Sequence, residues 1–204
     1  MVPLSLRQTF RKIRSLGPLN LAVYNAAGGG GEGRKYFKAP FLTIPAAAYE
    51  SYWQTSTFDR YIYLVLIRSK GGFMFAQQAI TLLLETAKTN PKYPATLLFT
   101  GATASIKASA GFSAFASAKS ALRSLSQSLA KEFGPQAVHI GHVIADGVFD
   151  TPIRREAQPE GDEGLMSPDS MAQSYWSLHI QPKGAWSWEI DLRPYLVHLM
   201  RGCN

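Results

Sequence analysis

Lys119 is the side chain in this sequence best placed to do chemistry. It rises from a run of small residues (Ala114, Ala116, Ala118, Ala121) and follows Phe115 by four positions, which puts the two on one side of a helix. An ammonium so placed offers three hydrogen-bond donors and a fixed positive charge to whatever lies beside it. On an ordinary helix a lysine lays its stem along apolar surface and leaves its charge in water. Other reactive residue types are scattered. His139 and His142 fall in an apolar run that reads as a strand, where one of them faces inward and is satisfied by the backbone. His179 and His198 have no acidic residue at ligand spacing, so no metal site is expected. No Gly-x-Ser-x-Gly elbow occurs, which disfavours an α/β-hydrolase.

The elements that must hold Lys119 can be read from periodicity. Phe112, Phe115, Ala118, Leu122, Leu125, Leu129 and Phe133 recur at intervals of three and four, the period of a helix with one apolar face, and Gly134-Pro135 is expected to stop it. Residues 95–101 before it and 138–145 after it read as buried strands, so strand, loop, helix and strand form a parallel βαβ unit. Upstream, Leu6, Phe10, Ile13 and Leu16 mark a basic-faced helix closed by Gly17-Pro18, and a strand over 19–24 follows at once. A helix starts within 46–54 and another runs from 72 to 88, ending at Asn90-Pro91. Downstream, 102–110 is a small-residue loop, and 152–166 is polar and reads as a lid. Ser167-Pro168 starts a helix that turns Met171, Ala172, Tyr175, Trp176 and His179 to the core, and residues 186–194 form a last strand and turn.

This arrangement resembles the short-chain dehydrogenase/reductase family, whose corresponding helix carries Tyr-x-x-x-Lys where this chain has Phe115-x-x-x-Lys119. Two more resemblances fall in the family's order. Asn25, Ala26 and Ala27 stand for its Asn-Ala-Gly turn, and the segment from Asp146 to Thr151 stands for its Pro-Gly-x-x-x-Thr segment. The similarity covers most of residues 5 to 200 and implies an α/β fold with a partial, doubly wound, Rossmann-like parallel sheet in one domain spanning residues 1–204. The family's first βαβαβ half, with its glycine-rich phosphate turn, needs roughly 60 to 70 residues, and it is expected to be missing ahead of residue 5. Gly28 to Gly33 does not replace that turn. A phosphate cradle opens a helix directly after a strand, and this run leads instead into a segment containing Pro40 and Pro45. Residues 58–70 are an insertion that the family pattern does not require. Residues 175–182 and 185–194 resemble one branch of the family, in which Phe in place of Tyr would be ordinary.

The resemblance also implies the site. The family's tyrosine moves the proton of the alcohol or carbonyl, and its position falls on Phe115, which has none to move. The family's serine, which orients the substrate oxygen, falls on Ala102, with Thr100, Thr103 and Ser105 as nearby hydroxyls. Its water-holding asparagine falls near Ser56. Lys119 is kept, to lower a phenol's pKa and bind the nicotinamide ribose. Asn25, Ala26, Ala27, Val148 and Thr151 would line NAD or NADP. Losing a positioned general acid forfeits about two to four orders of magnitude in rate. The chain is therefore expected to be a weak or inactive relative of alcohol–carbonyl oxidoreductases, working on a small-molecule substrate and forming a homo-oligomer. The other reading is a non-catalytic dimerisation or scaffold module.

Bulk properties bound these readings. The 204 residues are enough for one sizeable core, and 46% hydrophobic residues is ordinary for a globular protein. The net charge of +7 is scattered rather than clustered, which argues against nucleic acid. The longest apolar run, 61–67, is far too short for a membrane span. A single cysteine, Cys203, fits a reducing compartment, and a cytoplasmic location is expected. The absence of acidic residues before Glu32 keeps a mitochondrial transit peptide as the alternative reading of the first helix.

Overall fold

A computed structural model describes residues 3–26, 38–46, 49, 70–152, 155 and 164–196. Helix α1 spans Leu4–Leu16 and leads into strand β1, Leu21–Tyr24. Helix α2, Lys70–Ala87, is followed by β2, Ala95–Thr100. Helix α3, Ser113–Phe133, carries the chain over to β3, Val138–Ala145. Two short strands, β4 at Val148–Phe149 and β5 at Leu165–Met166, precede helix α4, Pro168–His179, and strand β6, Glu189–Leu192.

The main sheet runs β1-β2-β3-β6 and every pairing is parallel. All six residues of β2 and all eight of β3 are buried. Strands covered on both faces read as continuous apolar runs rather than as alternation, which is how these two appear in the sequence. On one face Leu97, Phe99, Val138 and Ile140 pack with Phe10 of α1, Ala79 and Leu83 of α2, and Leu122 of α3. On the other, Leu98, Val143 and Ala145 meet Met166, Met171 and Leu178. Helices on both faces of a parallel sheet define the doubly wound α/β class. Among the described residues no strand pairs with the outer edge of β1.

Local readings are refined at several points. Helix α3 stops at Gly134-Pro135 as expected, with Phe133 its last residue; Gly134 has a φ of −53°, and the chain tightens into a 3-10 turn over Gly134–Gln136. Pro135 explains this, because it has no N–H with which to continue the helix, and the left-handed residue is Ala137. In α4 Met171, Leu178 and His179 are buried, whereas Ala172 is exposed and Trp176 is 51% exposed. A helix on a sheet buries one stripe only, and Trp176 lies at its border, edge-on to Tyr93. The 102–110 loop contains a 3-10 turn, Thr103–Ser105, and the last strand is shorter than expected. The end of the 152–166 segment pairs in parallel with β4. Ala27, the Gly28–Gly33 run, Ser56, residues 58–69 of the expected insertion, His198 and Cys203 lie outside the described residues.

Gly101 is a close approach. Its N–H donates to Val143 O at 2.7 Å, extending the β2–β3 ladder by one residue. A Cβ built there would lie 2.2 Å from His142 Nε2 and 2.9 Å from Ser105 Oγ. Gly101→Ala is expected to lower stability by about 1–3 kcal/mol in denaturant unfolding, the range for overpacking a tight site. If the His142 ring is the obstacle, the same change made in a His142→Ala background costs clearly less.

Candidate active site

In open parallel sheets the ligand crevice lies beyond the carboxyl ends of the strands. Here that end is built by the residues after β1, β2, β3 and β6. Helix α3 crosses the sheet so that Lys119 points at the end of β2. The side chain is 3% exposed, and Nζ donates to Thr100 O at 2.8 Å. The small residues Ala114, Ala116 and Ala118, all buried, let the helix lie close enough for that reach. Phe115 sits one turn earlier, half-buried beside Ala114 and Ala118, with its ring 6.5 Å from that of Phe112. The segment from Lys38 is tied to the start of α3: Ala39 N donates to Gly111 O at 2.9 Å, and Lys38 Nζ lies 5.7 Å from the centre of the Phe112 ring.

The three hydroxyls near Ala102 have different partners. Thr100 Oγ1 lies 2.6 Å from Tyr175 OH, and burial pushes that phenol up to about 12. Ser105 Oγ accepts from Ala102 N at 3.1 Å. Thr103 Oγ1 donates to Asp146 Oδ1, while Asp146 Oδ2 pairs with Arg193 Nε at 3.2 Å. Arg193 Nη2 also donates to Asp191 Oδ2 at 2.6 Å. Of the other expected site residues, Asn25 is exposed just past β1 and Ala26 is half-buried there; Ala102 is half-buried after β2; Val148 is half-buried and Thr151 exposed past β3. The strand ends thus bring Lys119, Phe115 and Ala102 to the same corner. Ser56 and Ala27 lie outside the described residues.

Beneath this corner runs a charged brace. Arg123 of α3 grips Glu189 of β6 with two hydrogen bonds, Nε to Oε2 at 2.6 Å and Nη2 to Oε1 at 2.8 Å. Glu189 Oε2 also lies 3.0 Å from His142 Nδ1. The Arg123 hydrogen bond holds the Glu189 carboxyl below its usual range, and Glu189 raises Arg123 in return. Burial pushes His142 down, against the pull of Glu189, so its imidazole is neutral in the fold near pH 7. On the opposite face His139 Nε2 bonds Ser187 O at 2.8 Å and its ring stacks on Trp186. His179 Nδ1 lies 3.0 Å from Thr96 Oγ1. Among the described residues no group of three or more His, Cys, Asp or Glu is placed to hold a metal ion, and no helix is long and apolar enough to cross a membrane.

Sequence reasoning missed Tyr175 as a partner of the site, and it missed the brace. Neither has a local signal, since the partners stand 75, 66 and 47 residues apart. Asp146 did carry one: it occupies the place of the proline in the resembled segment.

Comparison with known proteins places this fold in a family. The family model described as short chain dehydrogenase matches residues 5–162, and the chain belongs to that family. Among solved structures, a short-chain dehydrogenase from Rhodopseudomonas palustris is 27% identical with a TM-score of 0.67, over 93% of this chain and 69% of that one. The acetoin dehydrogenase of Enterobacter cloacae is 20% identical with a TM-score of 0.69, over 94% of this chain and 70% of that one. The Pseudomonas aeruginosa RhlG/NADP active-site complex is also 20% identical with a TM-score of 0.69, over 93% and 71% of the two chains. No protein among those of curated function matches the chain.

The brace makes stability depend on acid. Glu189 has a depressed pKa in the fold, so its contribution is present above its usual value near 4.5 and is lost as pH falls through the folded value. His142 is also depressed, so the unfolded chain takes up that proton first, and the fold loses stability as pH drops below about 6.5. Both effects have the same sign. The melting temperature should fall from pH 7 towards pH 4. Glu189→Gln should cost about 1.5–3 kcal/mol at pH 7, the range for hydrogen bonds to a charged group, with a smaller penalty at pH 4.

Proposed function

We propose that this chain is an alcohol–carbonyl oxidoreductase of the NAD(P)-dependent kind, whose turnover by the tyrosine route is lost and whose remaining activity is weak or absent. The observation that carries the reading is the pair on α3. Lys119 is held at the end of β2 by Thr100 O, and the residue one turn before it is Phe115, which has no hydroxyl. A phenylalanine there cannot protonate an alkoxide or take a proton from an alcohol.

The cofactor reading is supported by family membership and by the NADP in the Pseudomonas aeruginosa complex of the same fold. A nicotinamide nucleotide fits the donors at this corner: the Lys119 ammonium, and the exposed side chains of Asn25 and Thr151 past β1 and β3. When bound, such a group supplies or accepts the hydride. Ala26 and Val148 would pack against it, and Ala102 would leave the substrate oxygen without the usual serine. Residues 58–70 stay proposed as an insertion in a single domain spanning 1–204. The substrate class is a small alcohol or ketone, and the assembly a homo-oligomer. A second reading, a non-catalytic scaffold, draws on the burial of Lys119 and its bond to its own backbone.

Calorimetric titration with NADPH and NADH, followed by assays on small secondary alcohols and ketones, separates the two. The oxidoreductase reading expects binding, and it expects Phe115→Tyr to raise kcat by roughly 10²–10⁴ with little change in nucleotide affinity, the range for a general acid. A chain that binds neither nucleotide, or one that binds NADPH yet gains nothing from Phe115→Tyr, would refute it.

A further inference from the structure

Three hydroxyls stand at the end of β2, and what lies behind each differs. Thr100 leads to Tyr175, whose phenol is buried and pushed up to about 12, so it exchanges protons poorly near neutrality. Ser105 leads to the N–H of Ala102, which has no proton affinity to offer. Thr103 leads to a carboxylate, Asp146 Oδ1. Asp146 is the first residue past β3, its backbone N–H donating to Leu192 O at 2.9 Å, and its side chain is 10% exposed. Arg193 holds the other carboxylate oxygen, and Asp191 in turn holds Arg193, so Oδ1 faces Thr103 while Oδ2 faces the cation. Ser120 donates to the carbonyls of Ala104 and Ser105 at 3.4 and 3.3 Å, which pins the Thr103 turn to α3 one residue beyond Lys119. The proton-accepting group and the lysine therefore converge on one strand end.

We propose that Thr103 and Asp146 form a proton relay for this site, standing in for the phenol that Phe115 lacks. The relay rests on the alcohol–carbonyl reading above and deepens it. In the oxidising direction the substrate O–H bond breaks and its proton goes to Thr103 Oγ1. The proton already on Thr103 passes to Asp146 Oδ1, leaving a carboxylic acid. The accompanying hydride leaves for an oxidised nicotinamide nucleotide as co-reactant. In the reducing direction each transfer reverses, with Asp146 protonated at the start. Thr103 touches the substrate oxygen; Asp146 acts through it.

The experiment uses the full chain with NADPH and NADP⁺, and cyclohexanone and cyclohexanol as probes. Slow wild-type turnover is expected to fall roughly 100-fold in Asp146→Asn and in Thr103→Val, the scale of one general acid–base group, and to persist in Thr103→Ser. Nucleotide affinity by calorimetry should stay within about threefold throughout. Adding Phe115→Tyr to Asp146→Asn should restore turnover, which a purely structural role for Asp146 would not allow. Without any nucleotide, the carboxyl carbon resonance of Asp146, assigned through Asp146→Asn, should move in Thr103→Val. The relay is overturned if Asp146→Asn turns over within threefold of wild type, or if Phe115→Tyr fails to restore it. It is equally overturned if the chain binds NADPH and yet turns over only once Phe115→Tyr is present, or not at all. Absence of nucleotide binding would sink the oxidoreductase reading itself and the relay with it, and the calorimetry identifies that case.

Discussion

An unpaired ammonium inside a protein is unfavourable enough that it must be neutralised or given a partner. Lys119 is buried at the seam between α3 and the end of β2, and its partner is the carbonyl of Thr100. That bond ties α3 to the end of β2. It requires small residues on the helix face beside it, which Ala114, Ala116 and Ala118 supply. Phe115, four residues earlier, shares that helix face and packs against Ala114 and Ala118. The corner where chemistry can occur depends on the contact between Lys119 and Thr100.

Four of the polar pairs around Lys119 join different elements: Thr100 to Tyr175, Thr103 to Asp146, Arg123 to Glu189, Glu189 to His142. In a low-dielectric setting such bonds are strong when complete and costly when broken. The result is a corner whose α3, β2, β3, α4 and β6 components are cross-linked by polar contacts, above a sheet otherwise held by aliphatic packing. Gly101 belongs to the same arrangement, because any side chain there would occupy the space taken by the His142 ring.

Besides Ala102 in the serine's place, two departures from the resembled pattern lie at this corner. Phe115 removes a proton donor, and Asp146 adds an acidic group where a proline would have none. They are 31 positions apart in the chain, yet both stand beside the end of β2.

Much of the architecture was legible from the residues. The continuous apolar runs of β2 and β3 follow from burial on both faces of a parallel sheet, and the three-and-four spacing of α3 follows from helical geometry. Those are local periodicities, so a sequence carries them in plain order, along with the Phe115–Lys119 frame. The ends of elements were less legible: past Phe133 the chain tightens into a 3-10 turn, and a left-handed Ala137, rather than a glycine, turns it. What only the tertiary structure decided is which polar groups meet. Thr100 and Tyr175 are 75 residues apart, Thr103 and Asp146 43, Arg123 and Glu189 66. Nothing in their neighbourhoods pairs them. The parallel register of β2, β3 and β6 stacks the strand ends at one level, and hydrogen bonding then selects partners among whatever side chains arrive there.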